Sequence, residues 1–230
     1  MLSGARQMSD NPRLSPAHEV ATEKYQKFGL PPSLRTEAIA DKFGEILEVL
    51  GIDYTQDPQT KDTPQRFARM LFEVCSGRYA DPPKLTEFPN DISLNQDNYP
   101  LDELVVVGPI RFNSLCSHHF VPVIGNAYIG YVPDEYLVGL SKFSRVVEYF
   151  AKRPQIQEVM TTQIFDFLME QVKPKHLAVF VDAVHFCMYW RGVKDTAMAS
   201  TNKLSRQIKR NSGLRAELLN LVSDRRKPIL

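Results

Sequence analysis

The chain has 230 residues, 43% hydrophobic and 24% charged, the balance of a globular protein that buries a real core without staples. Its net charge of +1 excludes the broad basic footprint of a nucleic-acid binder, so any anion site must be local. Three cysteines, Cys75, Cys116 and Cys187, form an odd set without the spacing of a secreted scaffold, and no apolar run is long enough to span a bilayer. Reduced thiols, no membrane partner and a cytoplasmic location are therefore expected.

Residues 1–20 are polar, carry Pro12 and Pro16 and lack a signal-peptide core, so residues 1–35 read as a loose arm. Ile39, Phe43, Ile46, Leu47 and Leu50 follow helical spacing and predict a helix over 36–50, stopped by Gly51. Thr63-Pro64 reads as an N-cap and first helical residue. The helix it opens carries Phe67, Met70, Leu71 and Val74 and ends near Gly77. Pro82-Pro83 then marks a boundary. This organisation predicts a helical region over 36–100 and a catalytic domain over 101–230.

From Leu101 the period changes. Leu104 to Phe112 and Val121 to Val132 are rich in β-branched and aromatic residues and predict two strands. Ser141 looks like the N-cap of a helix with Phe143, Val146, Val147 and Phe150 inward, and Pro154 looks like the start of another with Val159, Ile164, Phe167 and Leu168. A long strand is expected from Leu177 to Trp190, a weaker one from Val193 to about Ile208, and a last helix from Ser212 to Ser223. The order β-β-α-α-β-β-α predicts an α+β layer, an antiparallel sheet with a helix pair on one face. Such a sheet leaves two edges open, and symmetric assembly is one way to cover them.

Two segments concentrate metal-binding residues. Cys116-Ser117-His118-His119 puts a cysteine and a histidine three apart in a turn, a spacing that can chelate zinc; a buried cysteine beside two satisfied histidines explains it equally. In a continuous strand, His185, Cys187 and Arg191 would project together. Two of three cysteines and three of five histidines fall in these segments, and that concentration favours a metal site. Three protein ligands would leave a fourth position for water, and neighbouring histidines could shuttle protons.

Gly139-Leu140-Ser141-Lys142-Phe143-Ser144-Arg145 leads a glycine turn into a helix N-terminus with two cations, a natural phosphate cradle, although a capped helix with solvated bases is the plainer explanation. Arg66 and Arg69 share a face of the second helix, which a solvated surface also accounts for. Glu158, after Gln157, could accept two hydrogen bonds from a base edge or simply favour a helix N-terminus.

Together these segments resemble GTP cyclohydrolase I. The matching stretches are Asp62-Thr63-Pro64-Gln65-Arg66, Ser114-Leu115-Cys116-Ser117-His118-His119-Phe120, Gly139-Leu140-Ser141-Lys142, Arg153-Pro154-Gln155-Ile156-Gln157-Glu158 and His185-Phe186-Cys187-Met188-Tyr189-Trp190-Arg191-Gly192. The resemblance implies a tunnelling fold preceded by an N-terminal helical extension and assembled as a homodecamer with active sites at subunit contacts. It implies hydrolytic opening of the guanine imidazole ring of GTP, loss of formate, and rearrangement to 7,8-dihydroneopterin triphosphate. It implies Zn2+ on Cys116, His119 and Cys187, catalytic His118 and His185, and Ser141 at the ribose rearrangement. Glu158, helped by Gln157, would read guanine, and Lys142, Arg145, Arg191 and Arg66 would contact the triphosphate. Arg69 stands where the family often has lysine.

Two departures are visible. Ser117 replaces a common glutamate, and the stretch 193–211 keeps Ser200-Thr201 without the usual threonine-rich, glycine-containing pattern. The second departure motivates a rival, a GTP hydrolase that stops at a ring-opened formamide or triaminopyrimidine. A rival of another class is a zinc-stabilised module that binds nucleotide without catalysis.

Overall fold

The computed structural model describes residues 32–90 and 100–229; the expected arm, up to residue 31, lies outside them. The chain divides into two compact units between Ala80 and Asp81, just before Pro82-Pro83.

In the N-terminal unit, helix α1 (Pro32–Val49) begins earlier than its apolar stripe, since proline suits a first helical turn. It ends as foreseen at Gly51, which takes φ +73. Gly51 N–H bonds Glu48 O and Ile52 N–H bonds Leu47 O, both at 2.9 Å, a Schellman closure. The buried line of α1 runs through Ala40, Gly44 and Leu47, which turns Ile46 and Leu50 outward. Helix α2 (Thr63–Val74) starts one residue earlier than expected: Asp62 is the N-cap and Thr63 is already helical. Phe43 and Phe67 stack at 3.7 Å and join the two helices.

The second unit is built on one antiparallel sheet. Strands β2 (Val105–Leu115), β3 (Pro122–Val132), β5 (His176–His185) and β6 (Met198–Leu204) lie in that order, all neighbours antiparallel. Two three-residue strands, β1 (Glu87–Pro89) and β4 (Tyr136–Val138), pair separately and are too short to show a period in sequence. The register of β2 on β3 shifts between Val107 and Ile110, where Pro109 has no N–H to give a ladder; edge strands tolerate this.

Alternation gives the sheet two covered faces. Ala127, Ile129 and Tyr131 of β3 and Leu177, Val179, Val181 and Ala183 of β5 pack with helices α3 (Leu140–Ala151) and α4 (Gln157–Val172). Tyr128, Ala178 and Phe180 face the other way, onto Ile208 of α6 (Arg206–Arg210) and Leu218 and Val222 of α7 (Ser212–Ser223). Coverage on both sides explains why β5 reads as an apolar run from Leu177 to Val184, broken only by Asp182. Gly130 lets α7 approach closely, since a Cβ there would meet Leu218 at 2.5 Å.

Four boundaries differ from expectation. Gly139, not Ser141, caps α3, because Lys142 N–H already bonds Gly139 O at 2.8 Å. Pro154 does not open α4: Gln155 is held extended in a bridge to Cys116, so the helix waits until Gln157. β5 stops at His185, paired with Val123 near the start of β3, and the chain curls into one helical turn, α5 (Phe186–Tyr189). β6 is limited to its partner residues Ala178–Val184, and the rest of the predicted strand becomes a loop and α6.

Candidate metal centre and active site

Strands β2 and β5 both run antiparallel to β3, so their C-terminal ends emerge at the same end of the sheet. The two chemistry-bearing segments follow those ends. After β2 the chain makes a tight loop: Cys116 N–H bonds Val121 O and Phe120 N–H bonds Cys116 O, both at 2.9 Å. Phe120 takes φ +53, a conformation that costs a side-chain-bearing residue about 1–2 kcal/mol, and those two bonds hold it there. After β5, the helical turn α5 carries Cys187. The strand argument for a shared face of His185, Cys187 and Arg191 therefore does not hold, and Cys187 reaches Cys116 from a helix instead.

Ligand atoms of Cys116, His119 and Cys187 all lie within 4.8 Å of one another. A tetrahedral zinc with Zn–S near 2.3 Å wants sulfurs ~3.8 Å apart, so a small closure suffices. Two sulfurs and an imidazole are a donor set suited to zinc, and the residues present fit that metal. Cys116 is buried, Cys187 half-buried and His119 exposed. Burial, with Cys116 beside it, pushes the Cys187 thiol above its ordinary range, and Arg191 opposes the shift.

His118 stands next to this group, its Nδ1 3.8 Å from Cys116 Sγ. His185 Nε2 lies 2.8 Å from Gln157 Oε1. Burial pushes the His185 imidazole below its ordinary range, while the Glu158 carboxylate pulls it partly back. The first turn of α4 is thus within electrostatic reach of β5's end. Gln157 is buried, and Glu158 beside it is exposed. Thr161 and Thr201, which sequence reading passed over, bond this corner: Thr161 Oγ1 donates to Gln157 O at 2.9 Å and lies 2.6 Å from Thr201 Oγ1. Their signal was faint, a helical i, i+4 step from Gln157 and the Ser200-Thr201 pair.

A family profile described as GTP cyclohydrolase I matches residues 39–223. The chain belongs to the GTP cyclohydrolase I family. It is 40% identical over 192 residues to the GTP cyclohydrolase 1 of Vibrio cholerae serotype O1, covering 82% of this chain and 85% of that one. It is 39% identical over 191 residues to that of Enterobacter sp. (strain 638), covering 82% of each. As a member of the GTP cyclohydrolase I family it is an enzyme of that class.

Among the other predicted residues, Arg191 acts on the Cys187 thiol electrostatically. Ser141 and Arg145 are exposed and Lys142 half-buried on the first turns of α3, and no hydrogen bond or ion pair among the described residues joins them to the Cys–His–Cys group. Arg191 is exposed just after α5. In the N-terminal unit Arg66 pairs with Asp62 at 3.7 Å and donates to Gln59 O at 3.3 Å, while Arg69 is exposed. No helix among the described residues is long and apolar enough to cross a membrane.

Proposed function

We propose that this chain opens the imidazole ring of GTP hydrolytically, releases C8 as formate, and rearranges the product to 7,8-dihydroneopterin triphosphate. The observation that carries this is the convergence of Cys116, His119 and Cys187 at one end of the sheet, with His118 against the ligand loop and His185 tied to the helix that presents Glu158. Zinc held by these three ligands supplies Lewis acidity at a fourth, open position.

The chain's own groups divide the remaining work. His118 and His185 hold and transfer protons beside the reacting imidazole carbon. Glu158 accepts the guanine N1–H and 2-amino hydrogens, with Gln157 helping from the buried corner beside it; adenine, lacking that donor pair, would leave the carboxylate unsatisfied. Lys142, Arg145 and Arg191, with Arg66 and Arg69 from the helical region, grip the triphosphate. Ser141 serves the ribose rearrangement. In this reading the helical region starts with α1 at Pro32 and ends at Ala80, and the catalytic tunnelling-fold domain follows, so the expected bounds at 36 and 100 shift.

The open edges β2 and β6, and the scatter of the phosphate-binding candidates over several elements, support a cytoplasmic homo-oligomer, a decamer, whose subunits complete one another's sites. The deciding experiment is incubation of the zinc-loaded protein with GTP, following formate release and pterin fluorescence after oxidation. A holoprotein that consumes no GTP would sink the proposal, and formate without pterin would favour an enzyme that stops after ring opening.

A further inference from the structure

The side-chain amide of Gln157 is buried at 5% exposure and is engaged at both ends. Its Nε2 lies 2.9 Å from Val181 O, 3.1 Å from Ala199 O and 3.1 Å from Thr201 Oγ1. Its Oε1 lies 2.8 Å from His185 Nε2. Backbone carbonyls only accept, so the amide end facing Val181 and Ala199 must be the NH2 group. The opposite orientation would press the amide oxygen against two carbonyl oxygens, none of which can donate.

With the amide fixed, the rest follows in sequence. Gln157 Oε1 can only accept, so His185 Nε2 must carry a proton. The hydroxyls agree with this direction. Thr161 donates to Gln157 O, Thr201 donates to Thr161, and the two amide protons are shared among Val181 O, Ala199 O and Thr201 Oγ1. Three segments, β5, β6 and the first turn of α4, thus supply partners that act on one ring. The Nδ1 of that ring has no hydrogen-bond partner among the described residues.

We propose that Gln157 is a positioning residue that holds His185 with Nε2–H on Gln157 Oε1, which fixes the orientation of the ring and leaves Nδ1 unengaged among the described residues. The catalytic half of this inference rests on the proposed cyclohydrolase reading; the tautomer does not. Neutral or cationic, the ring keeps the Nε2 proton, because losing it would set a bare nitrogen lone pair against Gln157 Oε1. Gln157 then deepens the role given to it beside Glu158: the adjacent residues at the start of α4 divide the tasks, Glu158 facing the base and Gln157 aligning the histidine. An orienting partner of this kind is worth as much as tenfold to hundredfold in activity, roughly, when it fixes a tautomer or ring angle.

The test is solid-state 15N NMR of zinc-loaded protein labelled at histidine. The chain has five histidines, and the His185 signals are those absent from His185→Asn. The wild-type ring should show a protonated Nε2 and a bare Nδ1. In Gln157→Leu the ring should lose that single tautomer, and kcat should fall on the order of tenfold to hundredfold while zinc content stays near wild type. A wild-type His185 protonated on Nδ1 alone would overturn the proposal, as would an unchanged tautomer in a folded Gln157→Leu. A shifted tautomer with undiminished turnover would remove its catalytic half. The wild-type spectrum needs no variant, so a misfolded Gln157→Leu leaves the test standing. Absence of GTP turnover in wild type would count against the cyclohydrolase reading alone, since the spectrum is read without substrate.

Discussion

Gln155 is bridged in parallel to Cys116, and its backbone N–H donates to Leu115 O across 3.2 Å. This bridge ties the approach to α4 to the loop that carries the first metal ligand. Gln157 and Glu158 follow two and three residues later, so the proposed base-reading end of the helix is fixed relative to the proposed zinc. On that proposal, the distance between reacting carbon and metal would be set by backbone and not by flexible side chains.

The ligand set makes the first prediction. Zinc should be present at one per subunit, and Cys116→Ala, His119→Ala and Cys187→Ala should each lose it, because two remaining ligands no longer enclose the ion. Elemental analysis of purified variants decides this. Full metal retention in Cys187→Ala would refute the three-ligand set.

A second prediction concerns pH. Burial and the neighbouring Cys116 raise the Cys187 thiol above its ordinary range, so the metal-free site holds a proton there at neutral pH. Zinc binds the thiolate and must displace that proton. Affinity should therefore rise with pH up to the raised thiol value, flatten above it, and weaken steadily as pH falls below it. Competition against a chelator of known pH dependence, run between about pH 6 and pH 8, measures the slope. A zinc affinity independent of pH over that range would contradict a protonated Cys187.

Base choice gives the third. Glu158→Gln keeps the shape but puts an NH2 group where one guanine donor arrives, so kcat/KM for GTP should fall on the order of a hundredfold or more. Glu158 also raises the His185 imidazole, so its replacement should lower the pH at which that ring loses its proton. Steady-state kinetics with GTP across pH reads both effects. Unchanged GTP kinetics would show that Glu158 does not read the base.

Much of this was legible in the sequence. The order of elements was readable because helix and strand periods separate cleanly after residue 100, and a metal site because cysteine and histidine are rare and clustered, while the choice of His119 among the histidines came from the family resemblance. The failures share one cause. Leu177 to Trp190 looks like one strand since Phe186, Met188 and Tyr189 suit either period, and it ends at His185 where the ladder to β3 gives out at the pair with Val123, next to Pro122. Pro154 looks like a helix start until the bridge to Cys116, a long-range contact, delays it. The three-residue β1 and β4 hold too few positions to show a period. The role of Thr201 was hidden for the same reason: its partners lie 40 and 44 positions away in the chain.

The last prediction concerns the carboxylate under β6. Asp182 points to the face of the sheet opposite α3 and α4, and its side chain is only 8% exposed. Arg226, beyond α7, meets it twice, with Nε 2.9 Å from Oδ2 and Nη2 3.1 Å from Oδ1. Ser200 Oγ adds a third bond at 2.6 Å to Oδ1. Arg226→Ala removes the only cation ion-paired with this carboxylate among the described residues and leaves a buried charge with one hydroxyl donor. Because the Arg226 side chain is itself 48% exposed, water will replace part of what is lost, and the expected loss of stability is about 1–3 kcal/mol. Asp182→Asn with Arg226→Ala should lose less than Arg226→Ala alone, since the neutral amide no longer needs the cation. The measurement is the urea midpoint of all three proteins at one fixed subunit concentration, which holds any assembly term constant. The site should respond as well: Ser200 lies between Ala199 and Thr201 on β6, and those two neighbours hold the Gln157 amide. A looser β6 should therefore lower turnover in Arg226→Ala, although Arg226 touches neither the metal ligands nor Gln157. An unchanged midpoint in Arg226→Ala would show that Ser200 and solvent suffice for Asp182, and that the C-terminal segment does not clamp the strand.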